Sequence, residues 1–337
     1  MSENNFNRRD WLKISGAGLG LLGGVLAAPG VSSAGMIQSL RLYRSLQQGR
    51  ELDPSAGLSL IMIGTGTPIP SLDRACAATL IIAGDYTVLV DIGRGSLIRL
   101  AQAGVLRPDL LLFTHFHSDH ISDFGELMTM RAVSGADAPL PIIGPPGARK
   151  VVDGILEAFS MDKRYRVEHH GEAFNGAGME VSVTESQPSV VHDQGGLKIT
   201  MFEVDHRPVE PAVGYKFEYK GKSIVVSGDT IKVPIMTEMA QGCDILVHEA
   251  MNKQLVEMGA DKMGARMKKM SRDMCEHHTS HTEVAEIARD AGAKKLVLTH
   301  MVPDPMNWVM EYLFTRGMHQ IYKKKIIVGK DLMEVKA

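Results

Sequence analysis

Thr114-His115-Phe116-His117-Ser118-Asp119-His120 is the stretch on which the reading of this chain turns. Just before it, Leu110-Leu111-Leu112-Phe113 is a short apolar run of buried-strand type. After it, the spaced Leu and Met positions of Ile121–Arg131 suit a helix. The loop therefore joins the end of a strand to the start of a helix, where layered α/β proteins commonly place their sites. His115 and His117 stand two apart, so in an extended loop both project to one side and can reach one metal ion. Asp119 and His120 fall beyond the turn and can hold a second. Imidazole and carboxylate suit zinc and similar borderline ions. Deprotonated ligands packed this densely are costly without a cation, which weighs against a merely polar turn.

The same pattern recurs along the chain. Leu197–Val204 alternates like a half-buried strand and delivers Asp205-His206. Val213–Tyr219 and Ser223–Val226 form two strands joined at Lys220-Gly221-Lys222, and the second ends in Ser227-Gly228-Asp229-Thr230. Asp229 is placed there to bridge two metals with one carboxylate. Asp244–Val247 ends in His248-Glu249-Ala250, and Lys295–Leu298 ends in Thr299-His300. Chance would scatter His and Asp through loops and helices, whereas here separate apolar runs each stop at a potential ligand.

Toward the N-terminus, Leu58–Ile63 is a strand running into the turn Gly64-Thr65-Gly66-Thr67-Pro68, which lacks the Lys-Ser/Thr of a phosphate-binding loop. Ala78–Ala83 and Thr87–Val90 read as a hairpin ending at Asp91-Ile92-Gly93-Arg94-Gly95. Asp91 there either caps the helix around Leu97–Ala103 or accepts a hydrogen bond from a ligand imidazole. Pro139–Gly147 gives a strand and a turn, followed by an amphipathic helix to about Phe159. Residues 160–197 read as polar and irregular, and His169, His170 and His192 within them as solvated. Met251–Cys275 is rich in Met and Lys and suits either an ordinary helical surface or a lid over the site.

A chain of 337 residues, 44% hydrophobic, is ample for one large domain or two small ones. Its formal charge of −2 leaves no basic footprint, so no nucleic-acid partner is expected. Cys76, Cys243 and Cys275 are scattered and read as packing residues rather than a disulfide framework. Residues 1–34 read as an export signal. Asn7-Arg8-Arg9-Asp10-Trp11-Leu12-Lys13 resembles a twin-arginine motif, Ile14–Ala28 is apolar, and Ser32-Ser33-Ala34 is a small-residue exit. The apolar core is short for a membrane anchor, so cleavage and a periplasmic location are expected, with the twin-arginine export machinery as a partner. Residues 35–57 link this signal to a domain spanning 58–337, with a short helix expected over Met36–Pro54.

The ordered set GTGTP, DIGRG, THFHSDH, VDH, GYKF, SGDT, VHEA, HHTSHTEVAEIA and LTH resembles the ribonuclease Z and zinc-dependent arylsulfatase branch of the metallo-β-lactamase superfamily. The likeness covers nearly all of residues 58–301. It implies a four-layer αβ/βα sandwich of two mixed sheets with the metals at one edge. It implies two Zn2+ ions, with Mn2+ or Fe2+ as substitutes: His115, His117 and His206 on the first, Asp119, His120 and His300 on the second, and Asp229 bridging. By the same resemblance His278 lies outside the coordination shell and serves the leaving group, Glu249 orients it, and Asp119 accepts a proton from water. Beside that Glu, His248 reads as structural. Ribonuclease Z proper usually inserts a long tRNA-gripping arm between the positions of His206 and Asp229, and residues 207–228 hold only the two strands. The expectation is therefore a hydrolase of small anionic sulfate or phosphodiester esters. Alternatives are a ribonuclease Z-like endoribonuclease, a lactonase, or a metal-holding module without turnover. A homodimer is a further expectation, and β-lactam hydrolysis is disfavoured by the HEA and HTS segments.

Overall fold

Leu58–Gly64 (β1) shows why the strands of this chain are so apolar. Leu60 and Met62 point to one face, Ile61 and Ile63 to the other, and all four are buried. The first pair joins the core between two sheets, and the second pair packs under helices. A strand covered on both faces has no solvent side, so its polar alternation disappears. Ala78–Ala83 (β2), Tyr86–Val90 (β3), Leu110–Leu112 (β4), Leu140–Gly144 (β5) and Val181–Glu185 (β6) follow in the first sheet. Ser189–Gln194 (β7), Leu197–Glu203 (β8), Val213–Tyr219 (β9), Lys222–Val226 (β10), Ile245–Met251 (β11), Lys295–Val302 (β12) and Lys325–Val328 (β13) build the second. Glu334–Lys336 (β14) returns to the first sheet beside β1. The sheet orders are β14-β1-β2-β3-β4-β5-β6 and β13-β12-β11-β10-β9-β8-β7, each mixing parallel and antiparallel pairs.

In this computed structural model residues 49–171, 174–262 and 264–337 are described. The export signal and residues 35–48 of the linking segment lie outside them, and residues 49–57 are not helical. Leu60, Met62, Leu110 and Leu112 meet Ile199, Tyr215, Phe217, Ile224 and Val247 between the sheets. Outside the first sheet lie Ser96–Gln102 (α1), Ser118–Ile121 (α2), Phe124–Val133 (α3) and Ala148–Ala158 (α4). Ser160–His170 (α5) follows α4, and Pro234–Met239 (α6) opens the helices of the other half. Lys253–Ala260 (α7) and Ala265–Glu276 (α8) follow β11, and His281–Asp290 (α9) covers the second sheet with Trp308–Thr315 (α10) and Met318–Ile321 (α11). Helix, sheet, sheet, helix is the four-layer sandwich expected.

Three local expectations fail. Residues 160–171 and 174–197 contain regular elements, α5, β6 and β7: α5 buries no residue and so shows no apolar stripe. His192 on β7 stacks on Tyr86, with ring centroids 5.4 Å apart. The expected single helix 121–131 is two, broken at Ser122-Asp123. β11 and β12 run on past the expected ligand ends, because the ladder between them continues to Met251 and Val302.

Candidate metal centre

The ligand-bearing loops collect at one end of the two sheets because β4, β8, β10, β11 and β12 all deliver their chemistry at or near their C-terminal ends. β4 leads into His115, and α2 carries Asp119 and His120. The loop after β3 packs tightly on α2: a Cβ on Gly93 would lie 1.9 Å from the Asp119 carbonyl, so only glycine fits there. Gly228, at φ +64°, sets the corner before Asp229, and a Cβ there would meet the Val213 carbonyl at 2.6 Å. His300 is the extra residue of a bulge, since Thr299 and Met301 pair with consecutive Glu249 and Ala250. Its φ of +44° is rare for a side-chain-bearing residue, and strain of this kind clusters at functional sites.

Asp229 lies at the middle. Its Oδ2 is 3.4 Å from His120 Nε2 and His300 Nε2, and 3.9 Å from His115 Nε2 and His206 Nε2. His117 Nδ1 stands 3.1 Å from His115 Nε2 and 3.4 Å from His206 Nε2. Asp119 Oδ2 lies 3.0 Å from His300 Nε2 and 3.7 Å from His120 Nε2. The ligand atoms of His115, His117, His206 and Asp229 fall within 4.8 Å of one another, as do those of Asp119, His120 and His300. Every residue of the expected set is therefore brought together, in two groups meeting at Asp229. All but half-buried His117 are buried.

The back sides of the rings are fixed by hydrogen bonds. His120 Nδ1 donates to Asp91 Oδ2 at 2.8 Å, and Asp91 also accepts from the Thr114 amide and hydroxyl at 2.8 Å each. α1 begins after Gly95 with no side-chain cap, so of the two readings of Asp91 the imidazole acceptor holds. His206 Nδ1 donates to the His277 carbonyl at 2.9 Å. With Nδ1 occupied, His120 Nε2 is left buried without a partner, facing Asp229. Burial holds His115 well below the usual imidazole range and His206 down to about 4, so both present lone pairs. Burial also opposes charge on His120 and His300, but Asp229 overrides it and raises both. Imidazole nitrogens aimed at each other around two carboxylates fit divalent cations, which would supply the partner that His120 Nε2 lacks.

His278 is beside this cluster, its ring 5.1 Å from that of His206 and stacked on His300 at 5.5 Å. Its Nδ1 is 3.2 Å from Glu249 Oε1, which also accepts from the Thr279 amide at 2.9 Å. Burial pushes the Glu249 carboxyl well up and His278 down to about 4. His248 Nδ1 donates to the Glu249 carbonyl at 2.7 Å within the strand. The Met-rich stretch forms α7 and α8. Met274 packs on Met251, Val256 and Val302, whereas Met258, Met267 and Met270 are exposed. His277, which closes α8, was missed from the sequence. Its ring lies 4.9 Å from that of His206, and adjacency to His278 was the only available signal.

Comparison with known proteins shows the family and the fold. The beta-lactamase superfamily domain profile matches residues 87–301. Ribonuclease Z of Mycobacterium sp. (strain KMS) is 38% identical over 282 residues, covering 82% of this chain and 95% of that one. Among solved structures, the metallo-beta-lactamase fold protein YhfI from Bacillus subtilis superposes with TM-score 0.60 at 21% identity, covering 84% of this chain and 100% of that one. Human tRNase Z, short form, gives TM-score 0.60 at 21% identity, covering 82% and 98%. These likenesses overturn the expectation of no nucleic-acid partner. A whole-chain charge averages away local cations: α7 and α8, with the turn between them, carry six Lys or Arg against four Asp or Glu. Nor does the short 207–228 segment set this chain apart, because the mycobacterial ribonuclease Z aligns over nearly all its length.

Proposed function

This chain belongs to the ribonuclease Z family of the beta-lactamase superfamily and is a metal-dependent hydrolase of ester bonds; from that premise we propose that it is a zinc-dependent endoribonuclease cutting phosphodiester bonds in RNA. The observation that carries this reading is the pair of ligand groups meeting at Asp229 in a chain so similar to ribonuclease Z. His115, His117 and His206 would hold one ion and Asp119, His120 and His300 the other, with Asp229 placed between the two groups. Ions held there lower the pKa of water and offset negative charge on a phosphoryl oxygen.

The chain's own groups do the rest. Asp119, in the wall of the centre, accepts the proton that attacking water sheds. His278 gives Nδ1–H to Glu249, which leaves Nε2 for the substrate. That nitrogen is the one placed to hand a proton to the leaving oxygen. Asp91 and the His277 carbonyl keep the His120 and His206 rings turned inward. The sulfatase reading gives way because the similarity is to ribonucleases. The proposed location is periplasmic, carried by Arg8-Arg9 and the apolar segment after them.

Turnover of a 3′-extended tRNA transcript, an aryl sulfate and a lactone by zinc-loaded protein tests the proposal. The RNA is expected to have the highest kcat/KM. Preference for the sulfate or lactone would overturn it.

A further inference from the structure

The segment that follows His300 has no role so far. β12 ends at Val302 and α10 begins at Trp308, with Asn307 Oδ1 accepting from the Val309 and Met310 amides at 3.1 Å each. Two ties hold α10 at the rim of the metal centre. Asn252, the residue after β11, donates from its side-chain amide to the Phe314 carbonyl at 3.1 Å. Phe314 packs on His281, three residues beyond His278, with ring centroids 6.1 Å apart. The loop before α10 is braced as well, because Asp304 accepts from Arg74 Nε at 2.6 Å and from Ser71 Oγ at 3.0 Å.

On this fixed helix Trp308 and Tyr312 stand four apart, so they share a face and lie about 6 Å from each other along the axis. They are 78% and 65% exposed, although Trp is highly buried on average. Among the described residues neither ring pairs with another aromatic ring. Arg316, four residues further on, is exposed and forms no ion pair among them. Two aromatic rings and a cation at one-turn spacing are what a single strand of nucleic acid needs, since bases stack on the rings and the guanidinium takes a phosphate. An apolar protein face would leave the Arg316 charge unanswered. Resting on the ribonuclease reading above, we infer that Trp308, Tyr312 and Arg316 form a stacking ledge for the unpaired RNA nucleotides that follow the scissile bond.

The test uses the zinc-loaded full chain and a 3′-extended tRNA transcript whose extension is either natural or abasic, so that every phosphate stays and every base of the extension goes. Stacking supplies about 5- to 150-fold per base, and the parent is expected to favour the natural extension by at least the lower factor in kcat/KM. Trp308→Ala should lose that preference by slowing the natural transcript alone, with zinc content and bis(p-nitrophenyl) phosphate turnover unchanged. Trp308→Phe should keep most of it. Arg316→Gln should slow both transcripts and lower the salt slope of kcat/KM by about 1. A parent that cuts both transcripts equally, a preference preserved in Trp308→Ala, or equal losses on both transcripts in that variant would each overturn the ledge. So would light scattering that shows a parental dimer split by Trp308→Ala, which would make this face a subunit contact. A parent that hydrolyses bis(p-nitrophenyl) phosphate but neither transcript would instead refute the ribonuclease reading, and this inference with it.

Discussion

Asp91→Asn is a one-atom change that should disable one side of the centre. Asp91 has φ +60°, which Asn tolerates better than most residues, so the backbone survives the exchange. Oδ1 accepts from the Thr114 amide, and Oδ2 from the Thr114 hydroxyl and His120 Nδ1, each at 2.8 Å. Asn offers only one oxygen. If its amide nitrogen faces His120, the ring must move its hydrogen to Nε2, the nitrogen that looks toward Asp229 at 3.4 Å. That nitrogen then has no lone pair for a metal. If the amide turns over, its NH2 meets the Thr114 N–H instead, donor against donor. A charge-assisted bond of this kind is worth about 1.5–3 kcal/mol. Loss of a partner behind a ligating His typically costs about 10–100-fold in metal affinity, the same range of energy. Titration of metal-free protein with zinc against a chromophoric chelator should show one ion weakened by about that factor and the other unchanged. A folded variant binding both ions at parental affinity would refute this reading of Asp91 and the His120 tautomer.

His278→Ala should retain its zinc while kcat falls about 10²–10⁴-fold for a poor leaving group and far less for nitrophenolate. Equal losses across a leaving-group series would make His278 a positioning residue. His248 is buried and held down to about 4, while in the unfolded chain it titrates near 6.5. The unfolded state therefore takes up the proton first as pH falls, and stability is lost between about 6.5 and 4. Relative to the parent, metal-free His248→Gln should lose about 2 kcal/mol less between pH ~7.5 and ~5 in urea melts, and an identical pH slope would contradict this. Replacing Arg8-Arg9 with Lys-Lys should leave the precursor in the cytoplasm, and mature protein in the periplasm of those cells would refute the proposed export.

The doubly covered strands were legible because burial on both faces writes a continuous apolar run, as in β1 and β4. The seven candidate ligands were legible because each follows such an apolar run, at a turn, at the start of α2 or, for His300, within β12 itself. α5 was not, since a helix that buries nothing leaves no period in the sequence. β11 was cut short because Glu249 and Ala250 are weak strand formers by propensity, and the ladder to β12 keeps them extended. Asp91 stayed ambiguous because its partners, Thr114 and His120, are distant in sequence. His277 escaped because only the packing of α8 brings its ring to 4.9 Å from that of His206. The expectation of no nucleic-acid partner failed because total charge reports nothing about where the charges stand.

Cleavage of a 3′-extended tRNA transcript in oxygen-18 water tests the central claim most directly, namely that this metal centre directs water onto a phosphodiester. The zinc-loaded parent is expected to leave product phosphates each carrying one oxygen-18, with no 2′,3′-cyclic phosphate. Asp229→Ala, which removes the carboxylate shared by both ligand groups, should give no product. Cyclic phosphate ends, or cleavage by Asp229→Ala at the parental rate, would contradict the account.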